Sequence, residues 1–84
     1  MKHADAAALD TLEPILEQLR SMGGLKEKSR GTFYRRSKAF LHFHADPAGF
    51  FADLKIGDKF VRLPVNNRDE IAAFIREAKR ELGS

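Results

Sequence analysis

The spacing of the apolar residues changes twice along this 84-residue chain, and this change constrains the fold more than any other feature. In residues 12–22 and again in residues 71–82, apolar side chains recur at intervals of three and four. In residues 39–65 they recur at every second position. Periods of 3.6 and 2 indicate an amphipathic helix and a half-buried strand, respectively. The sequence therefore predicts a helix, a set of strands and a second helix.

Local signals place the starts of the two helices. Pro14 has no amide hydrogen and is best tolerated in a first turn, so the sequence predicts that Asp10 or Thr11 caps the first helix. At the second helix, Asn67 is followed three residues later by Glu70, which resembles a capping box. The second helix is therefore expected to begin directly after Asn67.

The middle of the chain predicts a four-stranded antiparallel meander. Three alternating segments are separated by turn signals at residues 46–49 and 57–58, and a shorter strand candidate, residues 32–35, precedes them. With these turns as hairpin tips, both hairpins place the same apolar residues on one face, which the two helices are expected to cover. The predicted fold is therefore α+β: helix, four-stranded antiparallel meander, helix, with both helices on one face of the sheet. It fills residues 11–84 as a single domain, after a flexible or kinked N-terminal lead of residues 1–10.

The opposite face of the predicted sheet carries aromatic residues and histidines, where a solvated face usually carries Lys, Glu, Thr and Ser. Its members are Phe33, Phe40, His42, His44, Phe51, Asp53, Phe60 and Arg62. Contiguous apolar patches commonly mark interaction sites, and a small chain without cysteine has no disulfide to support its core. The sequence therefore predicts a binding or structural module in which a second copy of the chain covers this face, forming a homodimer.

Two alternatives to a dimer remain open for this face. If a helix crosses to it, or if the first strand lies outside the sheet, the same phenylalanines are ordinary core residues. The face is also suited to binding a ligand or stacking nucleic-acid bases, because aromatic side chains on an open sheet can do so.

Residues 26–38 hold the excess positive charge of the chain. The cations of this segment are Lys26, Lys28, Arg30, Arg35, Arg36 and Lys38. Opposed only by Glu27, they give the segment a charge of +5, whereas the whole chain carries +3. Such a patch attracts anions, nucleic acid included. No ribonucleoprotein-type aromatic motif or helix-turn-helix pattern accompanies it, so nucleic-acid or anion binding is the alternative function.

His42 and His44 are the candidate metal ligands. In a strand they point the same way as Asp46, and two imidazoles with a carboxylate are a plausible Zn or Fe ligand set. The competing interpretation is a structural row in which His42 and Arg62 flank Asp53, and Arg62 keeps that carboxylate ionised. The sequence favours the row and predicts no cofactor.

The sequence contains few signs of catalysis and none of membrane targeting. No nucleophile lies near a base and no Gly-rich phosphate loop is present, so the sequence favours a binding module over an enzyme. The start of the chain lacks an apolar signal segment, and no run approaches 18 apolar residues. The predicted location is therefore the cytoplasm, with no membrane partner.

The stretch 28–53 resembles a family of small bacterial proteins. It reads KSRGTFYRRSKAFLHFH and continues through DPAGFFAD. The layout of a short meander and a closing helix is also similar to that of MmcQ/YjbR-like domains, although their motifs are not matched. The resemblance implies a bacterial, stand-alone domain and carries no activity, cofactor or catalytic residue with it.

Overall fold

The structure is a computed structural model that describes residues 2–83. Within this range the helices are α1 (Ala6–Arg20) and α2 (Arg68–Leu82). The strands are β1 (Lys2–His3), β2 (Lys26–Ser29), β3 (Thr32–Arg35), β4 (Lys38–Asp46), β5 (Gly49–Ile56) and β6 (Lys59–Pro64). Among the described residues, no helix combines the length and apolar character that crossing a membrane requires.

The strands form one antiparallel sheet in which β2 to β6 lie in chain order, and β1 pairs separately with the second half of β4. The prediction of an antiparallel α+β fold is confirmed, but the predicted count of four strands is wrong. The meander has five strands, because residues 26–29 pair with β3 as an edge strand. Their sequence, KEKS, contains no apolar residue, so the spacing of apolar residues could not reveal this strand.

Both helices bury their apolar stripes in one core with the sheet. Leu12, Leu16 and Leu19 of α1 and Phe74 of α2 are almost completely buried there. The sheet contributes Leu41, Phe43, Ala52 and Leu54, which alternate along β4 and β5 with the histidines and Asp53. Burial of such side chains contributes about 1.5–3 kcal/mol each, so this core is the main source of stability.

Helix α1 begins earlier than predicted. Its N-cap is Asp5, not Asp10 or Thr11, and the Asp5 side chain accepts a hydrogen bond of 2.9 Å from the Ala8 amide. Pro14 therefore lies inside the helix, where it supplies no amide hydrogen. Of the predicted lead, residues 2–3 form β1 and residues 6–10 belong to α1, while Met1 lies outside the described residues.

A register shift between β3 and β4 moves two phenylalanines to the helix side of the sheet. Phe33 lies opposite Leu41 and Tyr34 opposite Ala39, so Phe40 is the extra residue of a β-bulge. Phe33 and Phe40 are both buried in the core. Their predicted place on the open face is therefore wrong, because a bulge changes which side of the sheet the flanking side chains reach.

Ion pairs connect α1 to the β2–β3 hairpin. Arg20, the last residue of α1, bonds Glu13 on its own helix and Glu27 on β2. Arg30, in the turn of the hairpin, pairs with Asp10 and Glu13. Hydrogen bonds from Arg20 and then Arg30 lower the pKa of Glu13 to about 2. Because exposed ion pairs contribute little to stability, the network mainly sets where the hairpin lies.

Gly31 marks the closest approach of this hairpin to α1. Its φ is +82°, and a Cβ there would lie 2.5 Å from Leu9 Cδ2. Gly57 has a φ of +66° with open space around it. We expect Gly57→Ala to lower the free energy of unfolding by about 1–2 kcal/mol through backbone strain alone. Gly31→Ala should cost about 1 kcal/mol more, because Leu9 must also move.

Urea denaturation of the two glycine variants measures this difference. Both substitutions place alanine at a positive φ, so Gly57→Ala is a matched control for the strain. Equal losses in the two variants would mean that Gly31 does not limit the packing of the hairpin on α1.

Candidate metal centre

The open face of the sheet carries a polar row across β4, β5 and β6. His42 lies opposite Asp53, and Asp53 lies opposite Arg62. His44, two residues further along β4, lies opposite Phe51. These strand pairs agree with the register predicted from the alternation. The period of two in the second half of β4 therefore places both histidines on the same face, beside the carboxylate of β5.

Strand β1 brings a third histidine to this row. His3 lies opposite His44 in the β1–β4 pair, and their ring centroids are 4.9 Å apart. The centroids of His3 and His42 are 5.7 Å apart. Each of the three imidazoles offers a nitrogen atom, and these atoms lie within 4.8 Å of one another. His3 was not among the predicted metal ligands, because nothing in the spacing of residues near the N-terminus shows that it pairs with β4.

Asp53 is held from two sides. It is only 7% exposed, and Arg62 donates to both of its oxygens, from Nε to Oδ1 at 2.8 Å and from Nη2 to Oδ2 at 3.0 Å. His44 Nε2 lies 2.8 Å from Oδ2. The hydrogen bond from the Arg62 guanidinium is the main cause that lowers the pKa of Asp53 below its usual value. The carboxylate is therefore ionised at neutral pH and accepts from His44.

His44 keeps one ring nitrogen unused. The residue is 8% exposed, and its Nδ1 is buried without a hydrogen-bond partner among residues 2–83. When Nε2 carries the proton donated to Asp53, a neutral imidazole has its lone pair at Nδ1. A buried polar atom without a partner costs free energy, so this nitrogen is open to a hydrogen-bond donor or a metal ion.

His42 is the second imidazole of the row and contacts His44 directly. Its Nδ1 lies 3.1 Å from His44 Nε2, and the Phe60 ring centroid lies 5.2 Å from its own. Burial is the main cause that lowers the pKa of His42, and the nearby positive charge adds to it, while Asp53 opposes both. His42 is therefore neutral at pH 7, the form in which an imidazole binds a metal.

Comparison with known proteins provides no relative for this chain: no family model, no curated protein and no solved structure matches it. The resemblance of residues 28–53 to small bacterial proteins therefore stays a prediction.

The aromatic part of the predicted interface is smaller than expected. Of its four phenylalanines, Phe33 and Phe40 lie in the core, Phe51 is partly buried and Phe60 is 46% exposed. Within residues 2–83, the exposed large apolar side chains are Phe60 and Val61. This leaves a smaller apolar surface than the one from which the homodimer was predicted, and self-association stays a prediction.

Of the six predicted anion-binding cations, all but Arg30 line two cavities beside the turn between β3 and β4. Arg30 pairs with acids of α1, and Arg35 donates to the carbonyl oxygens of Glu81 and Leu82 at the end of α2. Lys28 lies over the Tyr34 ring, with Nζ 4.4 Å from its centre. The other three, Lys26, Arg36 and Lys38, are exposed. Two of the six cations therefore have structural roles that their charge alone did not indicate.

Proposed function

We propose that the protein binds a divalent transition-metal ion of the Zn²⁺ type through His3, His42 and His44. The observation that carries this proposal is the convergence of three imidazoles from β1 and β4, whose candidate ligand atoms lie within 4.8 Å of one another. Imidazole nitrogen is a preferred ligand of zinc, and three histidines form an established zinc ligand set.

The distances support a site that closes around the ion. Nitrogens bound to one tetrahedral zinc lie roughly 3.3 Å apart, so the widest gap has to close by about 1.5 Å. His3 is exposed and His42 is partly buried, so rotation of these two side chains can supply the movement. The site needs no rearrangement of the sheet, because its ligands stand on strands that are already paired.

Asp53 and Arg62 support the same interpretation as neighbours of the ligands. A metal-bound histidine usually donates its other nitrogen to a carboxylate or carbonyl, which fixes its tautomer and orientation. Asp53 accepts from His44 in this way, and Arg62 occupies both carboxylate oxygens. Asp53 is therefore assigned as the group that orients His44.

A purely structural row, in which His44 and Arg62 only donate hydrogen bonds to Asp53, explains less of the geometry than a metal site does. It accounts for Asp53, Arg62 and one nitrogen of His44. It leaves the second nitrogen of His44 without a partner, and it gives His3 no role. A metal ion accounts for the convergence of all three histidines.

Titration of the untagged protein with ZnCl₂ by isothermal calorimetry tests this function. We expect one ion per chain. His3→Ala and His42→Ala should each weaken the affinity by more than about 100-fold, because loss of an orienting neighbour alone costs about 10–100-fold. Neither side chain belongs to the buried core, so both variants should fold.

Phe60→Ala is the matched control for the metal titration. The Phe60 ring packs against His42 but offers no ligand atom, so this variant should keep the affinity of the parent protein. Co²⁺ provides a second measurement, because a tetrahedral nitrogen site gives it a characteristic visible spectrum. Absence of saturable Zn²⁺ binding, or equal affinity in the parent and both histidine variants, would overturn the proposal.

A further inference from the structure

Two cavities lie beside the turn between β3 and β4, and both are lined by Arg36. The first, of about 300 Å³, also has Arg35, Lys38 and Lys55 in its lining. The second, of about 370 Å³, also has Lys26, Lys28 and Tyr34 in its lining. The two cavities together form the basic groove of this molecule, and none of their residues belongs to the histidine cluster.

Three cations of the basic groove are available to a ligand. Among residues 2–83, no carboxylate forms an ion pair with Arg36, Lys38 or Lys55. Glu81 is the acid in the first cavity, and its Oε1 accepts from the Gly57 amide at 3.2 Å. With four cations against this one carboxylate, the lining of the first cavity carries a net charge of +3.

Lys55 belongs to this groove although it lies outside the basic segment 26–38. It stands on β5, and the folding of the sheet brings it to the cavity that Arg36 and Lys38 line. Conversely, Arg30 leaves the predicted set, because it pairs with Asp10 and Glu13. The tertiary structure thus replaces one member of the predicted anion-binding set with another.

The backbone of the turn holds Arg36 in a disfavoured conformation. The φ angles of Arg36 and Ser37 are 53° and 69°, in the left-handed region where Gly and Asn are preferred. Residues held in such conformations are concentrated at binding and active sites. In this protein the turn places a guanidinium where it lines both cavities.

We infer that the basic groove binds the phosphodiester backbone of single-stranded nucleic acid. Two adjacent cavities with their own cations suit successive phosphates of a chain, whereas one phosphate would occupy only one of them. Tyr34, partly buried in the second cavity, adds an aromatic ring with Lys28 Nζ 4.4 Å from its centre, and an unpaired base can stack there once Lys28 turns to a phosphate. Positive grooves combined with aromatic platforms are the usual means of binding single strands without sequence preference.

Fluorescence anisotropy with short labelled single-stranded RNA and DNA tests the inference. The measurements are made in EDTA, so that failure of the metal proposal cannot affect the outcome. We expect the affinity to fall with salt with a log–log slope of about −3, as four or five phosphate contacts on a single strand would give. Arg36→Glu/Lys38→Glu should weaken binding by at least about tenfold at low salt.

Arg68→Glu/Arg76→Glu is the matched control for the groove. It makes the same change in net charge on exposed α2 cations that lie outside the groove, so it should bind nearly as well as the parent.

If the double variant disturbs folding, Lys38→Glu alone still tests the groove, because Lys38 lies outside the left-handed turn. Lack of binding at low salt, or equal losses in groove and control variants, would overturn the inference. Equal competition by duplex DNA or by inorganic polyphosphate would also overturn it.

Discussion

Replacing Phe33 with alanine is expected to lower the free energy of unfolding by about 3–5 kcal/mol. The ring is 1% exposed and lies opposite Leu41, in the core that both helices share with the sheet. Truncation removes its buried surface and leaves a cavity that the surrounding strands cannot fill. Since small domains are stable by only about 5–15 kcal/mol, this is a large fraction of the total. Urea denaturation followed by circular dichroism measures the loss.

Phe60→Ala is the control for the Phe33 prediction. Phe60 is 46% exposed, so the same truncation should cost less than about 1 kcal/mol. The sequence predicted that Phe33 and Phe60 both lie in a dimer interface. In that case Phe33→Ala and Phe60→Ala would weaken dimerisation without unfolding the monomer. A stable Phe33→Ala monomer obtained from a dimeric parent would contradict the core position of Phe33.

Replacing Asp53 with alanine is expected to have the second largest effect, about 3 kcal/mol at neutral pH. Loss of one partner from a buried charged pair costs about 3–5 kcal/mol, and the lower end applies because the Arg62 side chain is 47% exposed and can be solvated. His44, in contrast, is buried and loses the acceptor of its Nε2. The same variant should bind Zn²⁺ about 10–100-fold more weakly.

The pH dependence of the Asp53 effect has a defined sign. The Arg62 guanidinium lowers the pKa of the folded Asp53 carboxyl, so folding is favoured by its ionisation. This contribution is fully present above the unfolded value, about 3.9, and is lost as the pH falls through the lower folded value. The part of the stability difference between the parent and Asp53→Ala that comes from this ionisation should therefore be lost in acid.

Asp58→Ala is the control for Asp53. Asp58 is exposed in the β5–β6 turn, so its replacement should change the stability by no more than about 0.5 kcal/mol. If Asp53→Ala were as stable as Asp58→Ala, with unchanged zinc affinity, Asp53 would have neither a structural nor an orienting role.

The start of α1 shows why strong local signals can still mislead. Pro14 suggested a first turn, but the Asp5 cap and the alanines that follow it extend the helix toward the N-terminus. Ala8 and Leu9 are buried there, and this burial offsets the cost of a proline within the helix. The start of α2 contains no such conflict. Asn67 accepts from the Glu70 amide and Glu70 Oε1 accepts from the Asn66 amide, close to the predicted capping arrangement.

The sequence by itself determined the register of β4, β5 and β6, and with it the row of His42, Asp53 and Arg62. It could do so because the side chains of a strand alternate with a period of two, and this register places the alternating apolar residues of all three strands on one face of the sheet. Only the tertiary structure decided the bulge at Phe40 and the pairing of β1 that brings His3 to the row. The β1–β4 pair joins segments that are far apart in the sequence, and the bulge adds one residue to one strand of a hairpin; the spacing of apolar residues shows neither.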